Sequence, residues 1–463
     1  MLNLQTLKDI YLALPDWSKK PLEVIPPSLI LGASYRKQAR LLKESNRWDD
    51  QEFKKYQLRK LFNTVEQAAT TVPYYRDLFQ SNKLPAKLQS IEQFLSLPLL
   101  SKEIIKEEGE RMISDSVPAT LRYPVTTGGT SGTPMKFWMS SSAYRKEWSF
   151  VHDLLMRYGI SPFDRKIGLR GVPFPKAEEG IYCQHNQVYR ELQISPFHLS
   201  EEVINEYLPL IKKYGAKYIH GYPSSVSQFA VIAEKKQIGR KLGLKGVLLV
   251  SETVYPHQIA TIEKAFDCPV ISFYGHSERL IFAGNKPNTL EYFVDPRYGY
   301  TEIIDGELVG TGFINNAMPM LRYKTGDYVT VKDPCGTNGV ESFMRLSKVD
   351  GRWLQEMLIG KNGGYISVTA LNMHSELFAN VQRFQFYQEI IGKCELRIVP
   401  AHGFVIEMDS KTISKAFRDK VGHELDIVIK IVDSVEMTNR GKQMFLVQKI
   451  KLEQEVSDNK RNW

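Results

Sequence analysis

From residue 200 to 275 the chain repeats one pattern: a segment with apolar residues at helical spacing, then a short, almost wholly apolar run. Glu201 to Tyr214 predicts a helix and Ala216-Lys217-Tyr218-Ile219-His220 a strand. Ser224 to Lys236 predicts a helix and Gly246-Val247-Leu248-Leu249-Val250 a buried strand. Pro256 to Phe266 and Pro269-Val270-Ile271-Ser272-Phe273 repeat the pair. Strands without polar alternation are buried on both faces, and strands separated by helices imply parallel βα units. The fold class is therefore α/β. In an open sheet of this kind, ligands bind beyond the carboxyl ends of the strands.

The flanks refine the architecture. Residues 1–100 read as helical, with Asp49 to Ala69 stopped by Val72-Pro73-Tyr74-Tyr75-Arg76 and an N-cap at Pro98-Leu99-Leu100-Ser101-Lys102-Glu103. Phe137-Trp138-Met139 predicts a strand, Ser140 to Tyr158 a helix and Lys166-Ile167-Gly168-Leu169 a strand. Residues 291 to 346, with Gly and Pro turns, form a β-rich subdomain. The tail reads as a separate α+β unit. Its strands are Glu395 to Pro400 and Phe404 to Met408, around a turn at Ala401-His402-Gly403. Lys411 to Leu425 is a helix and Ile427 to Val432 a strand. The expected organisation is residues 1–350 as a large N-terminal domain and 351–463 as a small, mobile C-terminal domain.

Residues 126–134 read Thr-Thr-Gly-Gly-Thr-Ser-Gly-Thr-Pro. Glycines let backbone N–H groups approach a ligand, consecutive N–H groups form a nest for anions, and hydroxyls add donors. The run suits a polyphosphate. It lacks the Gly-Lys-Ser/Thr ending of a P-loop and the spacing of a dinucleotide fingerprint.

With 463 residues and a net charge of +9, the chain is ample for more than one core and suits anionic substrates. The basic runs, such as Arg36-Lys37-Gln38-Ala39-Arg40, read as solvated helix faces, and no nucleic-acid recognition motif accompanies them. Cys183, Cys268, Cys335 and Cys394 are scattered, with no Cys-x-x-Cys pair, which favours reduced thiols in a cytoplasm. No apolar run reaches the length of a membrane span, and Leu2 to Leu14 is interrupted by Lys8 and Asp9, unlike a signal peptide.

Four further motifs bear on chemistry. Phe273-Tyr274-Gly275-His276-Ser277-Glu278 follows a strand, where a ring can cover a base and a carboxylate can hold Mg2+. Leu321-Arg322-Tyr323-Lys324-Thr325-Gly326-Asp327 presents an acid that can accept ribose hydroxyls. Val349-Asp350-Gly351-Arg352 stands where the tail begins. Thr438-Asn439-Arg440-Gly441-Lys442 offers a cation from a loop. In order and spacing this set resembles the adenylate-forming superfamily of acyl-CoA synthetases. Within it the set is similar to the phenylacetate–coenzyme A ligase family and its capsular-polysaccharide (CapK-like) branch. Ile219-His220-Gly221-Tyr222-Pro223-Ser224 and Ala370-Leu371-Asn372-Met373-His374-Ser375 also look like that branch.

The resemblance implies roles. Thr127, Gly128, Gly129, Thr130, Ser131, Gly132 and Thr133 would grip phosphate. Ser251 and Glu252 would lie along the adenine, and Tyr274, Gly275 and Ser277 would line the base. Glu278 would hold Mg2+, Asp327 and Arg352 would bind ribose, and Lys442 would bridge the substrate carboxylate and the α-phosphate. Trp138, His220, Tyr222 and His276 are candidates for the acyl pocket, and Arg279 could pair with Glu278. Met135 stands where the superfamily usually has lysine, with Lys136 next, and the hinge falls at Gln355 or Glu356. The implied activity is ATP- and Mg2+-dependent adenylation of a carboxylic acid with pyrophosphate release, then transfer to coenzyme A or an amine such as that of an amino sugar. A nucleotide-binding scaffold without catalysis is the alternative.

Overall fold

The computed structural model describes residues 16–127, 135–252, 254–333, 343–350, 357–368, 371, 378, 380–401, 403–436 and 446–450. Its centre is a sheet in which the βα repeat supplies parallel strands. These are β3 (Lys166–Leu169), β5 (Glu191–Ile194), β6 (Tyr218–Gly221), β7 (Gly246–Leu249) and β8 (Val270–Gly275), in the order β5-β3-β6-β7-β8. Strand β4 (Cys183–Asn186) pairs antiparallel outside β5.

Alternate side chains of these strands enter different cores, as the pleat requires. Val247 and Leu249 of β7 pack in one cluster with Ile219, Val270, Phe229 and Ile262. Leu248 points the other way, into a cluster with Tyr218, Ile271, Phe150 and Leu154. The first cluster is closed by three helices: Glu201–Tyr214, Pro223–Lys235 and Pro256–Phe266. Ser200 caps the first of these by accepting from the Val203 N–H, and Gly215 ends it in the left-handed region at φ 65°. The second cluster is closed by Ser141–Met156.

Beyond β8 the sheet becomes antiparallel and continues through β9 (Phe282–Asn285), β10 (Tyr292–Val294), β14 (Arg345–Asp350), β13 (Tyr323–Asp333), β12 (Glu307–Gly312) and β11 (Gly299–Ile304). This is the β-rich part expected between 291 and 346. A further core joins it to the N-terminal helices Asp50–Thr71 and Pro73–Ser81 and to a hairpin of β1 (Arg122–Thr127) and β2 (Met135–Ser140). Asp49 and Glu52 form a reciprocal capping box at the first of those helices.

In the tail, β15 (Met357–Ile359) and β16 (Tyr365–Ser367) make a small hairpin. A second sheet runs β19 (Asp426–Ile431), β18 (Lys393–Pro400), β17 (Val381–Ile390), β20 (Leu446–Gln448). Its core, around Phe384, Phe386, Ile398 and Phe417, also takes in Phe197 and Tyr222 from the large sheet's side.

Two expectations for the tail are corrected. Phe404 to Met408 is not a strand: β18 pairs antiparallel with β17 upstream, and helix Ile406–Val421 begins inside that segment. The reason is electrostatic as well as steric. Glu407 and Asp409 occupy the first helical turn, and Asp409 accepts from the Val405 N–H at 2.8 Å. Val405, Ile406 and Met408 are exposed, so no sheet face was available to bury them. The helix expected over 411–425 therefore starts earlier, and it stops at Gly422, where φ is 55°.

Candidate active site

Tyr274, Asp327 and Glu278 converge at the carboxyl end of β8. Strand β13 carries a bulge: Glu307 pairs with Tyr328 and Val309 with Lys324, leaving Thr325, Gly326 and Asp327 opposite Leu308. Gly326 takes φ 73°, and its N–H donates to Glu307 Oε1 at 2.7 Å. The bulge re-aims the strand and delivers Asp327 to Tyr274. The Tyr274 hydroxyl donates to Asp327 Oδ2 at 2.8 Å. Burial, and then the Asp327 carboxylate, hold the Tyr274 phenol well above its ordinary range, so it stays a donor.

Glu278 lies on the same side. The Tyr323 hydroxyl donates to Glu278 Oε1 at 3.3 Å and lies 3.9 Å from Met135 Sδ. Met135 pairs with Thr127 across the β1–β2 hairpin, so Tyr323 ties the residue following the glycine run to Glu278. His276 Nδ1 is 3.3 Å from Glu278 Oε2. Burial pushes the Glu278 carboxyl up, but the His276 ring and the residue's own backbone N–H outweigh it, and the group is held below its ordinary value. Among the described residues no group of three or more His, Cys, Asp or Glu could hold a metal. One ionised carboxylate fits a Mg2+ that arrives on substrate phosphates, which commonly takes one or two protein carboxylates and keeps its waters.

At the end of β7, Ser251 adopts φ 66°, a conformation that non-glycine residues accept where surroundings impose it. Glu252 follows and accepts from both the N–H and the hydroxyl of Ser224, each at 3.1 Å. That bond fixes Glu252 over the start of the helix at Pro223. Gly275 ends β8, and His276 and Ser277 follow it in the turn.

The remaining candidates are distributed differently. His220 is buried in β6 beneath Trp148, whose ring is 6.1 Å away. Tyr222 is buried in the tail's core. Trp138 packs against the N-terminal core with Arg122 5.4 Å and Lys136 5.7 Å over its ring. Arg279 does not pair with Glu278: it pairs with Glu147 at 2.5 Å, because its own φ of 58° turns it back toward helix Ser141–Met156. Gly128, Gly129, Thr130, Ser131, Gly132, Thr133, Arg352, Gln355, Glu356 and Lys442 lie outside the described residues, as does Cys335. Sequence reasoning missed Tyr323, Ser224 and Glu147. Tyr323 sits inside the Leu321–Asp327 motif, four residues before Asp327 on the same strand, and that proximity was the available signal.

No described helix is long and apolar enough to cross a membrane. The described cysteines, Cys183, Cys268 and Cys394, are free thiols, each pushed up to about 12 by burial.

Comparisons with known proteins bear on the fold as a whole. Residues 358–449 match the family model of the CapK C-terminal domain. The chain is 22% identical over 425 residues to Protein CapK of Staphylococcus aureus, covering 90% of this chain and 93% of that one. Among solved structures it is similar to 2-hydroxyisobutyryl-CoA ligase in complex with 2-HIB-AMP and CoA, with a TM-score of 0.53, 18% identity and coverage of 85% and 89%. The chain is thus similar to Protein CapK over most of its length, its residues 358–449 match the CapK C-terminal domain, and its fold is that of the acyl-CoA ligase.

Proposed function

We propose that the protein adenylates a carboxylic acid with ATP and Mg2+ and then transfers the acyl group to a second acceptor. The observation that carries this is the convergence of Asp327, Tyr274 and Glu278 at the carboxyl end of β8, beside the residue that follows the glycine run. Asp327 would take the ribose hydroxyls, with Tyr274 holding its carboxylate in place and flanking the base. Glu252, anchored by Ser224, would line the adenine with Ser251 and Gly275. Thr127 to Thr133 would cradle the phosphates, and Arg352 would reach the ribose.

In the first step a carboxylate oxygen bonds to the α-phosphorus, the bond to the bridging oxygen of the β-phosphate breaks, and pyrophosphate leaves. Charge grows on the equatorial oxygens and the departing group. Glu278 would hold the Mg2+ that offsets it, and Lys442 would bridge the carboxylate and the α-phosphate. In the second step a thiolate or amine attacks the acyl carbon and AMP departs. Coenzyme A is the acceptor that the neighbour's complex supports, and an amine acceptor is the alternative that the motif resemblance implies. Residues 351–463 would move between the steps, around 350–356, exposing and excluding the acyl-adenylate in turn.

The test is acid-dependent pyrophosphate release by wild type, Lys442→Ala and Glu278→Gln. We expect a loss of at least about 100-fold in both variants with nucleotide binding retained by Lys442→Ala. Near-normal release by Lys442→Ala would remove that residue from the role. Nucleotide binding with no release from any acid would favour the scaffold alternative.

A further inference from the structure

Helix Ser141–Met156 carries Tyr144, Trp148 and His152 at four-residue spacing, one stripe of its surface. At one end Tyr144 lies under Arg279, 5.4 Å away and adjacent in sequence to Glu278. At the other, Trp148 meets His220 and Lys166. The stripe therefore leads from the proposed adenylation site down the face of the sheet that the helix covers.

What it covers is charged. Lys166 opens β3 and is 6% exposed, yet no described carboxylate lies within ion-pair distance of its ammonium. The rings of Trp148, Tyr189 and Tyr218 stand 5.8, 5.9 and 5.9 Å from it instead. Glu191, opposite Lys166 in register, is fully buried and already occupied. Its oxygens accept from Arg170 at 3.0 and 3.2 Å and from Gln193 at 2.7 Å. Gly168 makes room for it, since a Cβ there would meet Glu191 Oε1 at 2.5 Å. Two cations thus face one buried carboxylate. His220 is 4% exposed, and its Nδ1 has no hydrogen-bond partner, like Nε of Arg170. His152 is spoken for by the Tyr35 hydroxyl at 2.9 Å. Burial, then Arg170 and Lys166, hold His220 well below its ordinary range, so it is a neutral ring.

A wall of cations and orphan nitrogens between aromatic faces is costly to desolvate against hydrocarbon. We propose that Lys166, Arg170 and His220 read the body of the acid substrate, and that this acid carries oxygen acceptors, as hydroxyls or a second carboxylate, besides the carboxylate to be activated. The inference rests on the adenylation reading given above.

The test is ATP–pyrophosphate exchange with four acids: glucuronate for hydroxyls, succinate for a second carboxylate, and butyrate and phenylacetate for hydrocarbon. We expect glucuronate or succinate to exceed both hydrocarbon acids in kcat/KM by at least about 100-fold. Lys166→Met should raise KM for the preferred acid about tenfold or more, leave KM for ATP unchanged, and be partly rescued by Lys166→Arg. Preference for butyrate or phenylacetate would overturn this inference and leave adenylation standing. An unchanged acid KM in Lys166→Met would overturn the role of the cluster. No exchange with any of the four acids, despite ATP binding, would overturn the inference together with the adenylation reading on which it rests. Should Lys166→Met fail to fold, the wild-type specificity ratio alone decides.

Discussion

Lys166→Met should make the protein more stable, and the amount should depend on pH. Burial pushes the Lys166 ammonium from its ordinary 10.5 down to about 8, with Glu191 pulling the other way and Arg170 reinforcing the shift. At about 1.4 kcal/mol per pH unit that gap is about 3 kcal/mol of unfavourable burial at pH 7. Attraction to the surrounding rings offsets roughly 1 to 2 kcal/mol. Methionine has similar length and no charge to desolvate, so the variant should gain about 1 to 2 kcal/mol at pH 7. The sign follows from proton binding. The unfolded chain holds the Lys166 proton more tightly than the folded one. Wild-type stability therefore rises as pH climbs from about 8 toward 10.5, while the methionine variant lacks this contribution. The two should converge by about 1 kcal/mol or more between pH 7 and pH 9.5. Urea unfolding followed by far-ultraviolet circular dichroism at both values reads the difference. Parallel behaviour of the two proteins across that interval would refute a buried, unpaired ammonium. A stabilised variant that discriminates acids poorly would show that Lys166 is retained for binding at the expense of the fold.

Three further outcomes follow from the geometry. Asp327→Ala should raise KM for ATP by roughly 10- to 100-fold, the loss of a charged hydrogen-bond acceptor, with the acid's KM nearly unchanged; pyrophosphate exchange measures both. Gly168→Ala should cost about 2 to 4 kcal/mol in urea unfolding, since the new methyl group meets Glu191 within its van der Waals radius, and a change under about 0.5 kcal/mol would show that the carboxylate moves freely. Because Glu278 is held below its ordinary value, it stays ionised above pH 5, and the pH profile of kcat/KM should show no falling acid limb from this group in that range.

The parallel block was legible because Val247, Leu249 and Ile219 sit in runs with no polar alternation, and such runs have few other ways to be buried. β17 was not, although its phenylalanines are central to the tail's core. Gln385 and Gln388 are buried between them and hide the pattern; Gln388 reaches Ile359 backbone atoms, an arrangement only the folded tail reveals. β4 and β5 were missed for the same reason, with Glu191, Gln193 and Gln184 hydrogen-bonded to one another. At the site, Tyr274, Glu278 and Asp327 could be named from their motifs, but the bond between Tyr274 and Asp327 spans residues 53 apart and depends on the bulge at Gly326. Arg279 departs from its sequence neighbour Glu278 for a local reason: its left-handed backbone sends the side chain to Glu147. A lysine opening a strand ordinarily points to solvent, so nothing in the sequence marked Lys166 as buried.

The phenylalanine cluster of the tail is completed by Phe197 and Tyr222, residues that belong to the other part of the chain. A fragment starting after residue 350 would carry that gap as bare apolar surface and should self-associate when expressed alone. Grafting this C-terminal unit onto a related ligase would require the recipient to present equivalent rings at both positions. Tyr222 is also two residues from His220 in the chain, so an exchange that shifts the backbone at the first would reach the second. The seam between the two parts is thus inherited as a pair, and engineering of either half has to treat it as one.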